Sequence, residues 1–432
     1  MATFCRAWEM RATEYSEQNK PLALVIYTFI AINLIVIGFE MRLIGFAFLL
    51  SLGFGLAQAA PYTPASDSVV VESLPLASDP SARRVESLRR QLAARPQDAA
   101  LRVEIASRYF ELAMAQGDPR LVGYASATIA PLAASADATP GYWLVRGKIQ
   151  QYTHDFNGAL ESLAKASQLD PASPEPLSWR AAILMVQARY GEAQTEVDRL
   201  TPLAEPLLGI GWNAYVRGSS GQLQSAFDAL SSAVKAAPDA VPEMLLWQYT
   251  RLAEMATRLE RHDVADSYFQ RALKLGITDQ FLLGAYADFL LARQRTAEVP
   301  KLLAGWERSD ILLLRLALAG SLTGDSRAAD WADQLRERFR AAVQRGDGLH
   351  EQENARFELD IERNPGKALA LAVHNYQVQK EPRDAEILMR AALAAGQAKA
   401  AQPALDWLRT SRHENPAFNS LASQLASQGA TR

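Results

Sequence analysis

The sequence predicts an all-α chain built as an α-solenoid of stacked antiparallel helical hairpins. Four observations carry this. An alanine recurs at Ala125, Ala159, Ala193, Ala226 and Ala265, with Val299 in the next slot, at spacings of 34, 34, 33, 39 and 34 residues. Twelve residues before five of these positions stand Gly147, Ala181, Ala214, Ala253 and Ala287, all small. Four residues after each of the six stand Ile129, Leu163, Val197, Leu230, Phe269 and Leu303, all apolar. Finally, alanine is abundant and β-branched runs are scarce, which favours helix over strand. Small residues at a helix crossing let two backbones approach closely, and an apolar residue one turn later fills the gap to the next unit. At 432 residues the chain exceeds one ordinary compact core, which suits an elongated array or several domains.

The elements follow in order. Two apolar runs precede residue 60: Pro21 to Phe39, and a second within Met41 to Ala60. The second has the parts of a secretory signal over 41–59: Arg42, an apolar stretch from Leu43 to Leu56, and Ala57-Gln58-Ala59 as a small-residue cleavage site. Met41 reads as the initiator, with 1–40 contributed by an upstream start. The rival reading makes 21–39, long enough to span a bilayer, a membrane tether. Only Glu40, Met41 and Arg42 separate the runs, too few for a helical hairpin in the membrane. No cysteine follows the apolar run, so no lipoprotein anchor is expected, and cleavage would remove Cys5, the one cysteine. The mature chain is expected in the periplasm or secreted, or else anchored to the inner membrane. Residues 60–83, rich in Pro, Ser and Ala, read as a flexible leader.

Residues 84–309 read as the regular array. Pro171 and Pro238 end second helices, because proline lacks an N–H and restricts the residue before it. The turns "YTHDFN", "QARYGE", "GSSGQL" and "LERHDV" carry polar and glycine residues. Residues 310–430 still alternate helix, turn and helix, but the small-residue column fails at Arg356, and the Gly and Ala positions are expected to lose register there.

The stretch "GYWLVRGKIQQYTHDFNGALESLAKASQLDP" places Trp143, Gly147, Ala159, Leu163, Ala166 and Pro171 on a 34-residue frame. This resembles the tetratricopeptide repeat, with Arg146 in place of its Leu and Gln150 in place of its Tyr. The resemblance is firm over about 140–303. It implies a right-handed superhelix whose concave groove is lined by first helices. Carrying over the family's groove positions implies Leu144, Lys148, Gln151 and Tyr152 in one copy and Met185 in the next. Tyr215, Trp247, Glu254, Arg258, Phe281 and Asp288 follow. Such a mixed surface suits an extended peptide or a partner helix. The family's carboxylate clamp, a Lys and an Asn at two groove positions, is missing from every copy.

Other chemistry finds little support. A net charge of −3 with no basic stripe argues against nucleic acid. One cysteine and five scattered histidines encode no local metal site. Gly209-Ile210-Gly211-Trp212-Asn213-Ala214 has the letters of a dinucleotide turn, but no strand precedes it and Ala214 belongs to the small-residue column. His154-Asp155 and His262-Asp263 read as solvated turns. Glu351, Glu358 and Glu362 spread over three helical turns, which reads as a charged outer surface. No nucleophile elbow or phosphate-binding loop appears. The expected function is therefore a non-catalytic scaffold or adaptor for a protein or peptide, with no cofactor and no metal. The alternatives are an accessory of a membrane transport or secretion complex, and an enzyme with its site in 310–430.

Overall fold

The computed structural model describes Ser66 and residues 80–133, 139–277, 279–346 and 348–430. The chain divides into Met1–Leu74 and Pro75–Arg432. The apolar runs, the cleavage site and nearly all of the leader lie outside the described residues.

Among the described residues, twenty α-helices follow one another. They are α1 Pro80–Ala94, α2 Ala99–Gln116, α3 Pro119–Ile129, α4 Pro140–Tyr152, α5 Phe156–Leu169, α6 Glu175–Val186 and α7 Tyr190–Leu200. Then come α8 Pro206–Ser219, α9 Leu223–Ala236, α10 Pro242–Arg258, α11 His262–Leu273, α12 Gln280–Ala292, α13 Val299–Leu302 and α14 Asp310–Thr323. The last six are α15 Ala328–Gln344, α16 Glu351–Asp360, α17 Pro365–Val378, α18 Pro382–Ala394, α19 Gln402–Ser411 and α20 Pro416–Ala430. From α2 to α19 they pack as nine successive pairs, numbered here one to nine, with α1 and α20 flanking them.

Local chemistry sets the helix ends. Asp98, Thr139, Asp155, Asp279, Ser309 and Asn364 each accept a backbone N–H of the following helix, satisfying donors that the helix cannot. Prolines open α3, α4, α8, α10, α17 and α18, where the missing N–H costs nothing. Helices α5 and α9 stop at Leu169 and Ala236, two residues ahead of Pro171 and Pro238.

The small-residue register runs further than the sequence reading allowed. The twelve-residue couple extends back to Ala113 and Ala125, and forward to Gly320 with Ala332 and Ala392 with Ala404, all buried. In pair eight the crossing residue is Ala355, fully buried and thirteen residues before Ala368. The expected loss of register at Arg356 is thus a slip of one residue. The slip turns Arg356 off the crossing and onto the inner face.

Each pair also holds one left-handed residue in its turn: Gly117, His154, Ala188, Gly221, Glu260, Gln294, Gly324, Arg363 and Gly396. Five of these are not glycine, and each stores backbone strain. Gln294 is exposed at φ 59°. Gln294→Gly is expected to raise stability by about 0.5–1 kcal/mol, read as a higher urea midpoint; an unchanged or lower midpoint would show the turn is unstrained.

The array coils tightly enough to meet itself. Gln280, opening α12 in pair six, donates to the Met114 carbonyl of pair one at 3.0 Å. The Lys380 N–H, entering pair nine, donates to the Val186 carbonyl of pair three at 2.8 Å. Trp407 Nε1 donates to the Tyr190 hydroxyl at 2.9 Å. The Leu223 N–H of pair four donates to Glu414 Oε2 at 2.6 Å. Each contact joins pairs five or six apart, so the second superhelical turn rests on the turn edge of the first.

Candidate functional site

First helices line the inside of this coil. On α8 and α10 an aromatic group forms from Trp212, Tyr215 and Trp247, with Trp212 and Trp247 ring centroids 5.1 Å apart. The Arg251 guanidinium lies 3.9 Å from the Tyr215 ring centroid, a cation–π geometry. Its Nη1 donates to Glu254 at 2.8 Å. Helical spacing places Trp247, Arg251 and Glu254 on one face of α10, one turn apart. Tyr215, Trp247, Arg251 and Glu254 are half-buried. Burial raises the Tyr215 phenol above its ordinary range, keeping it neutral and able to donate a hydrogen bond.

Further along, Asp288 of α12 accepts from Arg315 of α14 at 2.5 Å and from Arg356 of α16 at 2.7 Å. Arg356 approaches Asp360 at 3.7 Å, and Asp360 accepts from Arg390 of α18 at 2.6 Å. A charge ladder therefore joins four consecutive first helices. Burial pushes the Asp288 carboxyl up, but the two guanidinium groups outweigh it and hold it at about 2. Burial raises Glu386, opposed by Arg390 and Arg356. At the mouth of α18, Arg383 pairs with Glu381 at 2.7 Å. Asp384 accepts from Asn375 and from the Glu381 N–H, completing a capping box. Its carboxyl is raised by burial first and by Glu381 second.

The residues predicted to line a groove fall into three environments. Met185 is core, packed with Leu177, Ala181 and Trp212 rather than facing a groove. Lys148 is 6% exposed, paired with Glu175 and set over Trp179, which makes it a contact between pairs two and three. Leu144 packs with Phe156 and Ile183. Tyr152 meets Phe110 edge-on at 6.4 Å, and Gln151 is half-buried beside it. Tyr215, Trp247 and Glu254 are brought together on the inner face around Arg251, and Asp288 belongs to the charge ladder. Arg258 is drawn to the turn edge, where it donates to the carbonyls of Gly218 and Glu414. Phe281 stands apart, exposed at the start of α12.

Sequence reasoning missed Arg251, Arg315, Arg356 and Arg383. The one signal available was Arg356 at a position reserved for a small residue. Of the acidic stretch, Glu358 is buried and pairs with Lys367, Glu351 pairs with His374 at 2.6 Å, and Glu362 pairs with Arg336. Among the described residues no group of three or more His, Cys, Asp or Glu is arranged to hold a metal, and no helix is long and apolar enough to cross a membrane.

No protein-family model and no curated protein matches the sequence. Among solved structures, a Rap protein complexed with competence and sporulation factor is 13% identical, with 81% of this chain and 99% of that chain covered and a TM-score of 0.42. Human IFIT1, solved as a dimer with a capped RNA, is 13% identical over 81% of this chain and 86% of that one, TM-score 0.41. The Cut9–Hcn1 assembly of the anaphase-promoting complex is 15% identical over 72% of this chain, TM-score 0.37; this chain spans about half of its length, 52%. These TM-scores lie below 0.5, and the fold type follows from the chain's own geometry: a twelve-residue crossing couple and stacked antiparallel pairs at a period near 34 residues. By that geometry the protein is an α-solenoid of the tetratricopeptide-repeat type.

Proposed function

We propose that the protein is a non-catalytic scaffold or adaptor that binds a protein or peptide partner through its inner face. The supporting observation is the half-exposed set Tyr215, Trp247, Arg251 and Glu254. Aromatic rings there offer apolar area at low entropic cost, and adjacent opposite charges set the register of a bound chain. The secretory signal expected at 41–59 supports a reading in which this activity lies outside the cytoplasm, in the periplasm or secreted. The apolar run 21–39 supports the second reading, an accessory tethered to a membrane transport or secretion complex.

The test places a photo-reactive phenylalanine analogue at Tyr215 in the host cell, with Leu322, 67% exposed near the end of α14, as control. A discrete cross-linked protein at Tyr215 and none at Leu322 is expected. Equal labelling at both, or none at Tyr215 in a folded protein, rejects the adaptor reading.

A further inference from the structure

The contact between successive superhelical turns is built differently from the contacts within the array. Besides the Lys380–Val186 and Trp407–Tyr190 hydrogen bonds, several polar contacts converge on His413 and Glu414. Glu414 accepts from the Leu223 N–H through its side chain and from Arg258 Nε through its carbonyl, the latter at 2.9 Å. Beside it His413 is 3% exposed, with its ring between Trp407 and Phe418 at centroid distances of 5.0 and 5.7 Å. Its Nδ1 lies 3.4 Å from both Arg258 Nη2 and the Ser219 carbonyl, and its Nε2 has no protein partner. The same Trp407 donates to Tyr190, so one aromatic group ties the histidine to pair three.

We propose that this contact is an acid-released latch: protonating His413 opens the edge between the two superhelical turns while each helix pair stays folded. The geometry supplies the reason. A second proton on the imidazole would set a positive ring in a buried site against the Arg258 guanidinium, with Nε2 facing no acceptor. The groups around it do not neutralise that charge. Glu254 and Glu414 both act on Arg258, the Glu414 carboxylate is turned to Leu223, and Arg412 is exposed, with its Cβ set against Gly221. Tyr190 is engaged by Trp407. Ser219 presents only its carbonyl, from the end of α8.

Burial first and Arg258 second hold the closed His413 at about 3. In an opened latch it returns to the ordinary value near 6.5. The sign follows: the opened state binds more protons between these values, so closure is complete near neutrality and weakens as pH falls below about 6.5. From pH 7 to pH 5 the opening constant should rise about 25-fold.

Hydrogen exchange of the full chain reads this directly at the Leu223 and Lys380 amides, which bond across the contact. Leu252, fully buried in α10, is the reference for the pair itself. After correction for intrinsic exchange, the protection of Leu223 and Lys380 should fall together by about 25-fold between pH 7 and 5, with Leu252 unchanged. In His413→Phe, which retains the ring stack, the fall should vanish. In Glu414→Gln, which keeps an acceptor for Leu223, it should persist. A fall shared by Leu252, a fall at Leu223 alone, its survival in His413→Phe or its loss in Glu414→Gln each overturns the latch.

Discussion

Asp288→Ala is expected to lower the stability of the array by about 2–4 kcal/mol. The change leaves Arg315, 5% exposed in its side chain, and Arg356 without their shared carboxylate. Breaking a buried pair from one side costs more than the pair contributed, because the remaining charge stays desolvated. The range sits below that of a fully dry pair because 36% of the Asp288 side chain meets solvent. Urea midpoints at neutral pH check it, and a loss under about 0.5 kcal/mol would mean the ladder behaves as a surface network. The pH dependence has a definite sign. The Asp288 carboxyl is held at about 2 when folded, below its ordinary value near 4. Its contribution is therefore present above about pH 4 and lost as pH falls toward 2. Asp288→Asn should remove that part of the acid dependence.

Ala253→Leu is expected to cost about 1–3 kcal/mol. Ala253 and Ala265 are both fully buried at the crossing of α10 and α11, where the helices approach closely because neither side chain extends beyond Cβ. Three more carbon atoms there force the helices apart and disturb the stacking on both neighbouring pairs. Leu322→Ala, on an exposed side chain, should stay within about 0.5 kcal/mol. Equal effects at the two positions would show that the twelve-residue couple does not govern packing.

These two expectations separate what could be read from the sequence and what could not. The Ala253–Ala265 couple was legible, as were the helix pairs, their turns and the helix ends after Leu169 and Ala236. All of these depend on contacts between residues about a dozen apart, where side-chain size alone decides whether two helices can cross. Even there the slip from Arg356 to Ala355 was read as a failure, since one extra residue moves a side chain by about 100° around a helix.

The candidate site was legible only in part. A frame carried from one copy to the next put Met185 and Lys148 on a groove, but small rotations between pairs turned them into the contacts between pairs. The same rotations, summed over five or six pairs, brought Glu414 to Leu223 across 191 positions of sequence. No local pattern encodes such a meeting. It depends on the pitch of the superhelix, and the pitch follows from how the volumes of all the intervening side chains pack. The sequence by itself determined the hairpin and its repetition; only the tertiary structure decided which charges face one another inside the coil and where the coil closes on itself.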